Sequence, residues 1–328
     1  MAVKLALVGL QGHWYEVMEA LPSLPAVQLV AVADTNAEAL ARVPNLPGAT
    51  PETRTFTDYR ELLAQARPEV VVEAGIDSAR AEVLLACAER GVDFICEKPM
   101  AKTLDELDRV QAAVAKSGVL ASMLITMRCQ PNYLAMRAAV QEGAIGEVTQ
   151  GGAQKSYRLG QRPEWQQHRE TFSGIIPFVG IHVMDLFRWV SGRDYAEVMA
   201  YASNVAHPEV GDLEDNACVI ARLDNGASAA FRLDYCRPAA APTHGDDRLR
   251  VAGHRGVIET IDGKVTLITH EEGPRELPLP EPFPFFADFL AARAEKRLPF
   301  IPFADCTRIS EVVLRARQSA DTGRPVVV

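Results

Sequence analysis

Three short stretches of this sequence have residue types and spacings that could do chemistry. The first is Val8-Gly9-Leu10-Gln11-Gly12-His13-Trp14, a glycine turn between an apolar run and a helical pattern. Backbone N–H groups of such a turn, with a helix N-terminus behind it, can hold the pyrophosphate of a dinucleotide. Only Gly9 sits where the G-x-G-x-x-G template wants glycine. Gln11 and Trp14 take its second and third glycine positions, and Gly12 falls one residue late. A plain strand-to-helix turn is the competing reading. The dinucleotide is favoured by context. The turn follows a strand and opens a helix, and Asp34 ends the next apolar run, near the roughly 20-residue separation expected of a ribose-binding carboxylate. No basic residue follows Asp34 until Arg42, so the expected cofactor is NAD rather than NADP.

The second stretch is Glu97-Lys98-Pro99, directly after the fourth apolar run. A lysine at the carboxyl end of a parallel strand faces the ligand crevice of such a sheet, and Pro99 holds Lys98 extended. A surface ion pair ahead of a proline turn is the alternative. The third is Gly180-Ile181-His182-Val183-Met184-Asp185. On a helix starting near Ile181, His182 and Asp185 share one face, and a carboxylate beside a histidine orients the ring and raises its pKa. A His–Asp brace is the alternative. A trio of His168, His182 and Asp185 matches no standard zinc spacing, and no metal is expected. A further segment is dense in polar and aromatic groups: Tyr157, Arg158, Arg162, Trp165, His168 and Arg169. Its arginines could take a carboxylate or phosphate bidentately; a solvated loop is the alternative.

The elements that must position these groups follow from the apolar pattern. Residues 3–8, 27–33, 69–73, 93–96 and 119–125 read as strands that are apolar throughout. Helices at residues 13–21, 37–43, 59–66 (with Asp58 as cap), 79–90 and 104–116 alternate with them. That alternation predicts a doubly wound α/β Rossmann domain over residues 1–125. Beyond it, a helix at 132–142 leads into hairpin signals, among them Asp224-Asn225-Gly226 between two alternating runs. Residues 126–302 read as an α+β domain on a mostly antiparallel sheet, with a helix at 181–190 and a proline-rich surface loop at 271–284. Residues 303–328 read as a closing helix and strand packed near the Rossmann domain.

Composition narrows the partners. The 328 residues suggest two domains, and 48% hydrophobic content suits a globular chain. A formal net charge of -9 argues against nucleic acid or an anionic membrane as partner. No apolar run reaches the length of a membrane span. The first residues read as a strand, not a signal peptide. The six scattered cysteines indicate reduced thiols and a cytoplasmic protein.

Taken together, four motifs in order resemble the glucose–fructose oxidoreductase / inositol dehydrogenase (Gfo/Idh/MocA) family. They are Glu97-Lys98-Pro99, the turn Gly143-Ala144-Ile145-Gly146-Glu147-Val148, the Gly180–Asp185 segment, and the ending Ser319-Ala320-Asp321-Thr322-Gly323-Arg324-Pro325-Val326. The resemblance implies a Rossmann domain followed by a domain with a large open sheet, assembled as homodimers or homotetramers. It implies hydride transfer between a nicotinamide and a sugar, polyol or related small polar substrate. Gly9, Gln11, Gly12, His13, Trp14, Asp34, Glu97 and Lys98 would bind the cofactor. Lys98, His182 and Asp185 would be catalytic. Arg128, Tyr157, Trp165, His168 and Arg169 would bind substrate. Two departures stand out: Phe178 occupies the position of a usual aspartate, and Arg80 that of a histidine found in many members. They leave two other readings open, a hydrolase or lyase that oxidises its substrate transiently, and a cofactor-binding sensor without catalysis.

Overall fold

Six short strands carry the first half of the chain: β1 (Val3–Val8), β2 (Val27–Ala33), β3 (Arg54–Phe56), β4 (Val70–Glu73), β5 (Asp93–Cys96) and β6 (Ala121–Met123). In the computed structural model, which describes residues 2–328, they form one sheet in the order β3-β2-β1-β4-β5-β6. Every pairing is parallel. Consecutive residues such as Leu5, Ala6 and Leu7, or Val70, Val71 and Val72, are fully buried, so both faces need helical cover. That cover comes from α1 (Tyr15–Met18), α2 (Ala37–Leu40), α3 (Tyr59–Ala66), α4 (Asp77–Glu89) and α5 (Leu104–Ser117).

Local signals fix several boundaries. Asp58 caps α3 by accepting from Arg60 N. Thr103 and Glu106 form a reciprocal capping box on α5, and Gly118, at φ 70°, closes it in the left-handed region. The expected helix at 13–21 is a correction. Only Tyr15–Met18 is α-helical, with a separate 3-10 turn at Leu21–Ser23, because Pro22 has no N–H to continue the ladder. β3 was not anticipated. It has three residues and buries only Phe56, too little apolar pattern to announce a strand.

The second sheet has nine strands: β7 (Val148–Tyr157), β8 (Tyr195–Ser203), β9 (Asn216–Leu223), β10 (Ser228–Asp234), β11 (Gly245–Gly253), β12 (Gly256–Ile261), β13 (Lys264–Thr269), β14 (Arg275–Glu276) and β15 (Val326–Val327). Their order is β14-β13-β12-β11-β7-β10-β9-β8-β15. All pairs are antiparallel except β7 with β10. In β9, Ala217, Val219, Ala221 and Leu223 are buried while Cys218, Ile220 and Arg222 face out, the alternation of a sheet covered on one side. The cover is α6 (Pro131–Gln141) and α7 (Ile181–Ser191). Gly151 of β7 has no room for a Cβ because the Phe187 ring of α7 lies against it.

The chain divides into two compact units, residues 1–124 with 284–308, and residues 125–283 with 309–328. The segment 284–308 holds α8 (Phe285–Glu295), which the proline-rich stretch before it obscured. Arg293 of α8 bonds Asp93 (2.7 Å) and Glu69 (3.1 Å) in the first unit. The last helix, α9 (Phe303–Thr322), carries the chain into the second unit. The terminal strand β15 pairs with β8 in the nine-stranded sheet, and residues 309–328 group with the second unit, whereas the sequence reading grouped them with the Rossmann domain. Among the described residues no helix is long and apolar enough to cross a membrane.

Candidate functional site

In the first unit the strand order reverses between β1 and β4, and the glycine turn follows β1 at that switch point, where parallel sheets bind ligands. Gly9, at φ 83°, packs against the Gly75 backbone and leaves no space for a Cβ. A Cβ on Gly12 would fall inside the Glu97 side chain. A cleft lined by Gly9, Gln11, Asp34, Thr35, Tyr59 and Ile76 opens at the ends of β1 and β2. Asp34 is buried on its wall and accepts from Leu10 N (2.7 Å) and Asn36 N (2.8 Å). Its carboxylate therefore ties the turn to the end of β2 and keeps further lone pairs for a diol.

The amides of the turn are not spare, which corrects one expectation. Gly9 N donates to Ala33 O, Gln11 N and Gly12 N to Ala74 O, and His13 N to Glu97 Oε1 (2.6 Å). Gly9, Gln11, Gly12 and His13 thus set the shape of the turn through their own bonds. Trp14 stands at the start of α1, edge-on to Tyr15.

Beneath the turn lies a buried charged network. Glu97 and Lys98 are 2% and 1% exposed, so the pair is not a surface ion pair. Glu97 also bonds the His13 ring and accepts from Lys98 N (2.6 Å). Burial alone would raise the Glu97 pKa, but Lys98, His13 and Arg80 outweigh it and hold the carboxyl well below its usual range. Arg80 is buried and donates to Glu73 (2.7 Å), Asp77 (3.0 Å), Pro99 O (2.6 Å) and Gly75 O (2.9 Å). One guanidinium thereby braces the chain after Lys98 and the backbone against which Gly9 packs. Burial raises the Glu73 pKa, offset in part by Arg80.

In the second unit, α7 carries the half-buried His182. Its N-terminal end lies over β10, where Gly180 meets Leu233. Asp185 spends both oxygens on Arg128, at 2.7 and 2.6 Å, with both side chains essentially unexposed. This corrects two expectations. Asp185 is first of all the partner of Arg128, and Arg128 is a brace beside the Trp189 ring rather than a hand for substrate. Burial demands it, because a guanidinium away from water needs a carboxylate. Arg169 is likewise taken, by Glu214 (2.8 Å) and Asp321 (2.6 Å). His168 is exposed with Glu170 and Asp212, an exposed grouping that differs from the trio weighed in the sequence. Trp165 sits edge-on to Phe172 and Phe178, and those two rings are 5.1 Å apart. Phe178 therefore belongs to an aromatic cluster.

A polar group that the sequence reading missed surrounds Tyr157. Lys155 is buried on the helix-covered face of β7, two residues before Tyr157, and pairs across the strands with Asp247 (2.6 Å). Its ammonium lies 4.8 Å from the Tyr157 ring centre. Burial lowers the Lys155 pKa, with Asp247 pulling it back up. Burial also raises the Tyr157 and Tyr133 hydroxyl pKa values, and Asp247 adds to both. A lysine on the buried parity of an alternating strand was the available signal, but it requires knowing that residues 148–157 form a strand.

Comparison with known proteins places both parts of the chain in one family. Residues 3–124 match the model of the oxidoreductase family with an NAD-binding Rossmann fold, and residues 133–259 match the GFO/IDH/MocA C-terminal domain. Myo-inositol 2-dehydrogenase of Thermotoga maritima is 25% identical over 254 residues, 75% of this chain and 72% of that protein. A solved Thermotoga maritima structure described as an oxidoreductase superposes with a TM-score of 0.93 at 32% identity, covering 99% of this chain and all of the other. Levoglucosan dehydrogenase, solved with NADH, shares the fold with a TM-score of 0.84 at 21% identity, over 100% of this chain and 99% of that one. The chain belongs to the Gfo/Idh/MocA family of NAD-binding oxidoreductases.

Proposed function

We propose that this chain transfers hydride between NAD and a carbon of a sugar, polyol or related small polar substrate. The observation that carries this reading is the buried Glu97–Lys98 pair at the carboxyl edge of the sheet that also bears the glycine turn. A fully buried lysine is costly unless it has a task or a tight partner. The residues present fit a dinucleotide: Gly9 leaves backbone where a side chain cannot go, and Asp34 stands at the rim of the adjoining cleft. When bound, the nicotinamide supplies the hydride acceptor. Lys98 holds and polarises the reacting oxygen, and His182 takes the hydroxyl proton. Asp185, clamped by Arg128, fixes the helix that carries His182. Asp34 faces the ribose diol and repels a 2′-phosphate, so NAD is preferred over NADP.

The second unit pairs with another copy of itself through the open face of its sheet, where Tyr201 and Ile220 are 65% and 60% exposed. The protein works in the cytoplasm, where its six free cysteines stay reduced. NADH absorbance across a panel of sugars and polyols tests the reaction. Turnover without net NADH would replace it by transient oxidation, and NAD binding without any turnover by a sensor. Tighter fluorescence titration with NADP than NAD overturns the cofactor preference. A light-scattering mass of 35.8 kDa overturns self-association.

A further inference from the structure

The residues around Tyr157 form a chain of contacts within the second unit. Asp247 pairs with Lys155, Lys155 lies against the Tyr157 ring, and Tyr157 neighbours Tyr235 at 6.4 Å between ring centres. The Arg162 guanidinium stacks 4.2 Å from the Tyr235 ring centre. Arg162 spends one nitrogen on Gln166 Oε1 (3.1 Å), makes no ion pair among the described residues, and its Nε is buried without a hydrogen-bond partner. Asp247 Oδ1 is also buried without a donor, although Oδ2 is held by Lys155.

Charge along this chain does not cancel. Lys155 and Asp247 neutralise each other, and Arg162 is left with one uncompensated positive charge. A half-buried guanidinium whose Nε is buried without an acceptor is matched best by a planar carboxylate, and a buried carboxylate oxygen without a donor by a hydroxyl.

We propose that this site selects a polyhydroxylated carboxylate, a sugar acid rather than a neutral sugar, with Arg162 holding the acid group and Asp247 Oδ1 accepting from a hydroxyl. This rests on the hydride-transfer reading for its chemistry but not for its binding. One positive charge suits a carboxylate, while a phosphate dianion would bring a second negative charge toward Asp247.

The test is calorimetric binding to the full-length protein saturated with NADH, which needs no turnover. The probes are gluconate and galacturonate, their neutral counterparts glucose and galactose, and glucose 6-phosphate. The expected result is acids bound at least about tenfold tighter than neutral sugars, the scale of a charged hydrogen bond. Arg162→Gln should remove that margin without altering NADH affinity, and Asp247→Asn should weaken acids and neutral sugars together. Equal binding of acids and neutral sugars, a retained margin in Arg162→Gln, or tightest binding of the phosphate overturns the proposal. If acids bind selectively and none is oxidised, the hydride reading fails while this one stands.

Discussion

Replacing Arg80 by methionine tests how the dinucleotide turn is held. The substitution keeps an unbranched apolar stem and removes the guanidinium, with its charge and its donors to Glu73, Asp77, Gly75 O and Pro99 O. Glu73 is 1% exposed and would lose its cationic partner. Breaking a buried pair on one side costs about 3–5 kcal/mol, a large part of the roughly 5–15 kcal/mol that stabilises a domain. The cost must depend on pH. The Glu73 pKa is already raised by burial, and Arg80 works against that rise, so its loss lifts the pKa further. A carboxyl whose folded pKa lies above its unfolded one contributes stability below the unfolded value, and that contribution is lost as pH rises through the folded one. The difference between variant and wild type should therefore be full near pH 8 and shrink toward about pH 5. Urea unfolding followed by circular dichroism at both pH values measures it, and adding Glu73→Gln to the variant should recover part of the loss. A variant within about 1 kcal/mol of wild type at pH 8, well below that range, or an equal deficit at both pH values, would refute the reasoning.

Arg128→Met should cost a similar ~3–5 kcal/mol by stranding Asp185, while Arg128→Met with Asp185→Leu should regain most of it; urea midpoints that show no recovery argue against the pair as a brace. Gly12→Ala forces a Cβ into the Glu97 side chain, and overpacking of about 1–3 kcal/mol should lower NAD affinity roughly tenfold by fluorescence titration; unchanged affinity would show that the turn does not shape the site. Once a substrate is in hand, His182→Ala or Lys98→Ala should lower kcat by about 10²-fold or more, with NAD affinity little changed in the His182 variant; wild-type rates in both would remove these residues from the chemistry.

Much of the first unit was legible because most of its strands are short, largely apolar runs and two of its helices carry explicit caps at Asp58, Thr103 and Gly118. β7 was not, since Gly151, Gly152, Gln154 and Lys155 break its alternation. Those glycines serve the close packing of Phe187 and the Ala230 backbone, a demand visible only when the strands are together. With β7 unseen, the cross-strand partners Lys155 and Asp247 stayed apart on paper. Spacing placed His182 and Asp185 on one helix correctly, but it gave no hint that Arg128, distant in sequence, would take both oxygens of Asp185. Local periodicity reports which residues share a face; it cannot report which distant charge a buried carboxylate meets.

The border of the nine-stranded sheet at β8 is closed with unusual completeness. Val326 and Val327 pair with Val198 and Glu197, Val328 N donates to Ala196 O, and Ala200 N donates to Ser319 Oγ of α9. The opposite border is β14, only two residues long. A passing strand would find almost no free rungs at either side, so lateral polymerisation into a continuous ribbon is blocked. Two valines and one serine hydroxyl thus let a wide, one-sided sheet exist at high concentration without templating its own extension.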